Sequence, residues 1–209
     1  MKIGHLKFIF AGMKITITDH QGNWATLFAE EKKKISHILG FLDPAIVHIG
    51  STSVPGLCAK PIIDIQVGLK SADDLDKTIV PMQQQYTYIK LYEPDWPERR
   101  YYCLYKNEND KSLPTIIDVD DVSPSKQGLI SLVHIHVFVK DTDDWIRHIA
   151  FRDYLASHSD VRDTYCQLKR ELAKQEFENM ISYNDAKNDF VKDVQQKAII
   201  WYGALLKID

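Results

Sequence analysis

His48 to Asp64 reads HIGSTSVPGLCAKPIID. The apolar run Ala45 to Ile49 has the length of a short strand and feeds directly into Gly50-Ser51-Thr52-Ser53. Glycine lets the backbone turn tightly or left-handed and lets a ligand approach closely. The three hydroxyls and neighbouring N–H groups can converge on phosphate oxygens. Lys60 follows and can bring a positive charge to the same anion. Pro61 then opens a second strand, Ile62 to Leu69, on which Ile62, Asp64 and Gln66 share one face and Ile63, Ile65 and Val67 the other. A carboxylate between isoleucines must point to a solvated or metal-bearing cleft, because burying it unpaired is costly. Short Gly/Ser turns are common as plain connections, and no GxxxxGK[ST] pattern marks a Walker loop. The lysine and the acidic strand beside the turn are what make it a site candidate.

Outward from this block the pattern alternates between strand and helix. Lys14 to Thr18 alternates as a short strand, and Asn23 stands as N-cap of a helix carrying Trp24, Leu27, Phe28, Ile35 and Ile38, with Gly40 as its stop. Ser71 with Asp74 marks the next helix start. Tyr86 to Tyr92, Tyr101 to Tyr105, Thr115 to Asp120 and Leu132 to Val139 read as strands. After Asp141 the chain turns helical, with helices expected over about 142–157, 160–178 and 182–205. The expected class is therefore α/β (α+β): a mixed sheet with helices packed on it and a C-terminal helical layer. A single domain is expected over 13–209, with 1–12 an extension or the residue of an alternative start at Met13.

The chain has 209 residues, 44% apolar and 26% charged, which suits one sizeable globular core. A net charge of −3 supplies no global field for nucleic acid or an acidic membrane, so any anion must be held by local donors. The longest apolar stretches fall short of the roughly 18 residues that a membrane span requires, and residues 1–12 lack a signal-peptide pattern. Cys58, Cys103 and Cys166 are widely spaced and odd in number, with no CxxC, which reads as free thiols in a reducing compartment. A cytoplasmic location is the expectation.

HIGSTSVPGLCAKPIIDI resembles the signature of the GrpB family, whose members adopt a nucleotidyltransferase-like fold. The resemblance continues through YEPDWPERRYY, HIHVF, WIRHIAFRDYLASH, YCQLKRELA and YNDAKNDFV, and so covers nearly the whole chain from Met13. It implies a sheet with a Gly-Ser turn and an acidic strand in one cleft. A relative of this domain occurs fused to dephospho-coenzyme A kinase, which hints at nucleotide-related work. Active members of the wider superfamily carry Asp-x-Asp or Asp-x-Glu on the acidic strand, whereas this chain has Asp64-Ile65-Gln66.

His134 and His136 share one strand face and could join Asp64 around a divalent metal, with Mg, Mn or Zn as the candidates. Asp118 and Asp120 form a second same-face carboxylate pair, read as a solvated surface feature within a longer stretch over about 107–132 and kept as a backup for metal. Of Arg99 and Arg100, one should point inward; Arg100 is taken with Asp64 and Lys60 as catalytic, and Arg99 and Arg152 join Gly50, Ser51, Thr52 and Ser53 as phosphate-binding candidates. Lys169 and Lys187 are weaker candidates, since most helical lysines are solvated. The leading functional expectation is a metal-dependent nucleotidyl- or phosphoryl-transferase. Its alternative is a noncatalytic module binding a nucleotide or phosphorylated metabolite in the same cleft. A structural interaction protein using helices 142–205 is the third.

Overall fold

A computed structural model describes residues 13–107, 112–121 and 128–206. The N-terminal extension expected over 1–12 lies outside these residues, as does part of the long stretch around 107–132. In chain order the strands are β1 (Met13–Lys14), β2 (Ala45–Ile49), β3 (Ile63–Leu69), β4 (Thr87–Ile89), β5 (Arg100–Asn107), β6 (Ile116–Ile117), β7 (Leu129–Val139) and β8 (Glu176–Phe177). The helices are α1 (Trp24–Leu39), α2 (Ile79–Met82), α3 (Asp143–Ser157), α4 (Ser159–Leu172), α5 (Met180–Ala186) and α6 (Asn188–Leu205).

Six strands form a mixed sheet in the order β2-β3-β7-β5-β4-β6. One strand in from its edge is β3, which pairs antiparallel with β2 and parallel with β7. The alternation in IDIQVGL decides which face meets which layer. Ile63, Ile65, Val67 and Leu69 are no more than 2% exposed and pack under α1 and α2, with Trp24, Ile35, Leu39 and Met82 in the same core. Val133, Ile135 and Val137 of β7 join them. Each such side chain stabilises the fold by about 1.5–3 kcal/mol through removal from water.

The opposite face carries α3. The Trp145 ring packs against Gly68, where a Cβ would come within 2.6 Å of the indole. Two residues before, Gln66 donates from Nε2 to the Trp145 carbonyl at 3.1 Å. Beyond α3, Val54 and Leu57 from the loop after the Gly50 turn pack with Leu155, Tyr165 and Val194. The turn is thus fastened to the helical layer by apolar contacts.

Several boundaries differ from the sequence reading, for local reasons. Asn23 precedes α1 without a capping hydrogen bond from its side chain. Instead of a strand over Lys14 to Thr18, β1 pairs with β8 and a single bridge joins Thr18 to Ala59. The helix expected to run to 178 ends at Leu172. The last helix is two: α5 opens on a capping box of Asn179 and Ser182, and the chain breaks at Lys187 (φ −107°, ψ 0°) before α6. The free-thiol reading also fails for two cysteines. Cys58 and Cys166 form a disulfide, their Cα atoms 5.4 Å apart, and only Cys103 is free among the described residues. A separation of 108 residues hid that proximity. Among the described residues no helix is long and apolar enough to cross a membrane.

Gly68→Ala should lower stability by about 1–3 kcal/mol, because the buried indole cannot yield to the added methyl group without moving α3. A urea-unfolding midpoint equal to wild type would contradict this packing.

Candidate functional site

A cleft of about 610 Å³ opens where the Gly50 turn, β3 and β7 meet α4, α5 and α6. Its geometry begins with the antiparallel β2–β3 pair, which sets Ile49 opposite Asp64. Gly50 follows with φ +70°, and a Cβ there would fall 2.9 Å from the Asp64 Cβ and Cγ and closer still to its carboxylate. Only glycine lets the turn lie directly over this acid. The three hydroxyls then diverge. Ser53 donates to the Gly50 carbonyl at 2.6 Å, and buried Thr52 donates to the Ile62 carbonyl at 3.2 Å and meets His48 Nε2 at 3.0 Å. Ser51 lines the cleft, its Oγ 3.0 Å from Lys169 Nζ.

Three lysines converge here. Lys169, 3% exposed, also donates to the Cys58 carbonyl and lies over the Tyr165 ring. Lys60 contacts the Met180 sulfur at 3.0 Å, and Lys60 and Lys187 lie 5.3 and 5.5 Å from the Tyr183 ring centre. None of the three forms a salt bridge among the described residues. Desolvation, then repulsion from Lys187 and Lys60, holds the Lys169 ammonium down to about 7; desolvation, then Lys60, holds Lys187 to about 8. Burial lowers Lys60 as well. Asp64 pulls all three the other way, so one carboxylate serves as common counter-charge to three amines. Asp95 and Asp185 also line the cleft, but at exposed positions.

Asp64 Oδ1 meets His134 Nδ1 at 3.2 Å on the neighbouring strand. Past His134 the wall turns aromatic. Tyr101 stacks on His136 with ring centres 4.8 Å apart, and Arg99 lies 4.9 Å from the Trp96 ring centre and 5.2 Å from that of Tyr101. Burial keeps His136 and His148 neutral, the latter lowered to about 4. The cleft therefore has a cationic end and a π-rich end joined by Asp64 and His134.

The GrpB protein family model matches residues 14–197. The chain belongs to the GrpB family. A UPF0157 protein of Halalkalibacterium halodurans is 34% identical over 185 residues, covering 88% of this chain and 82% of that one. The glutamate-rich protein GrpB of Alkalihalophilus pseudofirmus is 31% identical over 181 residues, covering 87% and 94%. The crystal structure of conserved protein GrpB from Enterococcus faecalis superposes with a TM-score of 0.71 at 28% identity, over 90% of this chain and 99% of that one.

Not every residue singled out in this GrpB sequence reaches the cleft. Gly50, Ser51, Thr52, Lys60, Asp64, Arg99, His134 and His136 line it. Arg100 does not: it faces the other side of the sheet, bonded to Asp76 at 2.8 Å and to the Pro97 carbonyl at 2.8 Å. The register explains this, because Arg100 pairs with Val137, which packs toward α1, while Tyr101 pairs with His136 of the cleft wall. Arg152 is engaged by Asp153 at 2.6 Å and the His48 carbonyl at 3.0 Å, bracing β2. Ser53 is turned back onto the turn it belongs to. Asp118 pairs with Lys90 on the surface, away from the cleft, and Asp120 is exposed. Lys187 and Lys169, discounted as helical lysines, are central instead. A lysine flanked by apolar stripe positions, as Lys169 is by Tyr165 and Leu172 on α4, was the available signal.

The donor set does not fit a divalent metal. Among the described residues no three His, Cys, Asp or Glu side chains converge as ligands. Gln66 is fully buried and holds α3, so it cannot serve as the second ligand of the acidic strand. Its Oε1 and His136 Nδ1 are both buried without a hydrogen-bond partner. They belong to residues paired in register on β3 and β7. Three amines around Asp64 compete with a cation for its charge.

A pH test follows from Lys169. In the unfolded chain its amine titrates near 10.4, against about 7 when folded. Between those values the unfolded state binds the extra proton, so this group makes stability rise with pH. The melting temperature of wild type relative to Lys169→Met should therefore climb from pH 7 to pH 9.5, and a flat difference would refute the burial argument.

Proposed function

We propose that this GrpB protein binds a nucleotide or a similar phosphorylated small molecule, with phosphate oxygens against Lys60, Lys169 and Lys187 and an aromatic ring beside Arg99 and Tyr101, without a bridging divalent ion. The observation that carries the reading is the excess of amine over carboxylate at the cleft floor. A phosphate entering that floor supplies the missing negative charge and offsets the mutual repulsion of the Lys60 and Lys187 ammonium groups, while Lys169, lowest of the three where a value is set, can stay neutral beside it. The aromatic end suits a base, because stacking accepts any planar ring and the Arg99 guanidinium adds its own face. Charge and stacking together favour a ligand that is anionic at one end and planar at the other.

Nucleotidyl- or phosphoryl transfer is the second reading, and the Asp64–His134 contact at 3.2 Å favours it. A carboxylate that orients an imidazole beside a bound phosphate can help move a proton to or from the reacting group. The metal-dependent form of that chemistry is disfavoured by the buried amide at position 66. No membrane partner is invoked, since neither the cleft nor its charge pattern requires one.

Thermal melts with ATP, other nucleoside triphosphates and inorganic triphosphate, each in EDTA and in Mg²⁺, Mn²⁺ or Zn²⁺, separate these readings. A nucleotide that binds only the folded chain adds about 2.7 kcal/mol of stability at a hundred times its Kd. The expected result is a rise in melting temperature in EDTA that Lys187→Ala reduces and that inorganic triphosphate only partly reproduces. A rise that appears solely with a divalent ion, and is lost in Asp64→Asn, would instead support the metal-dependent transferase. No rise with any nucleotide would remove both.

A further inference from the structure

Among the three hydroxyls of the turn, Ser51 alone has a proton that no backbone carbonyl claims. Ser53 and Thr52 donate to the carbonyls of Gly50 and Ile62. Ser51 Oγ instead lies 3.0 Å from Lys169 Nζ and within hydrogen-bonding reach of the Tyr165 hydroxyl, and it faces the cleft. Lys169 is in turn held by the Cys58 carbonyl. The disulfide from Cys58 to Cys166 ties that carbonyl to the helix bearing the lysine, three residues before it. A nucleophile in contact with a base, the base fixed by a third group, is the arrangement that activates serine in unrelated enzymes.

We propose that Ser51 is a nucleophile toward phosphorus, with Lys169 as its general base, acting on a phosphoric ester or anhydride held in this cleft. The proposal rests on the phosphate-binding reading for its substrate class, though not for the reactivity of the pair. As neutral amine, Lys169 has two hydrogens and one lone pair. In the ammonium form Lys169 donates to both the Cys58 carbonyl and Ser51 Oγ; once neutral it keeps one hydrogen on the carbonyl, and its lone pair can accept the Ser51 O–H across the same 3.0 Å. In the first step the Ser51 Oγ–P bond forms and the bond from phosphorus to the leaving oxygen breaks. The Ser51 proton passes to Lys169, and the leaving oxygen departs as phosphate or alkoxide, taking that proton where its basicity demands. Where the leaving oxygen does not take it, the Lys169 proton is lost to solvent. Water then attacks phosphorus and gives a proton to the neutral Lys169, the Oγ–P bond breaks, and Lys169 returns that proton to Ser51 Oγ as the phosphate product leaves.

The surroundings of Lys169 decide whether it can act as base. Lys187 and Lys60 oppose its charge and so does burial, while Asp64 and the Tyr165 ring face, 4.4 Å away, favour it. The first group wins, leaving an amine that is neutral in part near pH 7, where a general base is most effective. Arginine at this position would keep a cation and lose the base.

An uncharged fluorophosphonate ester tests the pair directly, because its labelling needs a nucleophilic serine and no nucleotide. Attack forms the Oγ–P bond, expels fluoride and leaves a stable adduct whose position peptide mass spectrometry reads. We expect the adduct on Ser51, at a rate that rises with pH to a midpoint near 7, and none in Ser51→Ala. Lys169→Met and Lys169→Arg should slow labelling on the order of a hundredfold or more. Absence of any adduct on the folded wild-type chain, an adduct confined to other residues, or wild-type labelling in Lys169→Arg would overturn the proposal. If the lysine variants melt early, the wild-type profile still decides, since a midpoint near that of an ordinary lysine contradicts the assigned base. Excess ATP should slow labelling; an unchanged rate would count against the nucleotide reading while leaving the pair intact.

Discussion

The contact between the Gly50 backbone and Asp64 is the constraint on which the cleft depends. The antiparallel β2–β3 pair brings the end of one strand opposite the start of the other, and the missing Cβ at Gly50 lets the turn close over the acid. From that closure follow the outward set of Ser51, the inward set of Thr52 and Ser53, and the approach of the lysines. The turn is held from the far side by Val54 and Leu57 in the helical layer, so it is braced by core packing on one flank and by a strand ladder on the other. Side chains held this way need little reordering when a ligand arrives.

Charge balance then separates this chain from a metal-centred design. A two-acid strand with few cations attracts a divalent ion; here one acid is surrounded by three amines, and the second acid's place is taken by an amide that anchors α3 through the Trp145 carbonyl. The same substitution thus removes a ligand and adds a structural bond. Neutral His136 and His148 complete a wall that is polar without being charged, next to the Arg99 face. The cleft thus presents amines at one end and planar rings at the other.

Much of this was legible in the sequence. Alternation in IDIQVGL and VHIHV marks central strands whose apolar halves face one layer, and both lie side by side in the sheet. The glycine turn, Lys60 and Asp64 stood out because those residue types follow one another at strand spacing. What stayed hidden depends on chain segments far apart. Arg99 and Arg100 are adjacent, and only the pairing of Arg100 with Val137 reveals which of them leaves the cleft. Lys187 turns inward because the helix breaks at that residue, and Lys169 because α4 packs its Tyr165 side under the turn. The Cys58–Cys166 bond was invisible for the same reason: closeness across 108 residues is written in no local pattern.

The central claim is that the amines around Asp64 lack counter-charge which a bound phosphate supplies. A crystal structure of the chain grown with a nucleoside triphosphate in EDTA tests this most directly. The account requires density for phosphate oxygens within hydrogen-bond distance of Lys60, Lys169 or Lys187, with the base against Arg99 and Tyr101. Density showing the nucleotide elsewhere while the lysine cleft stays closed to it would contradict the account.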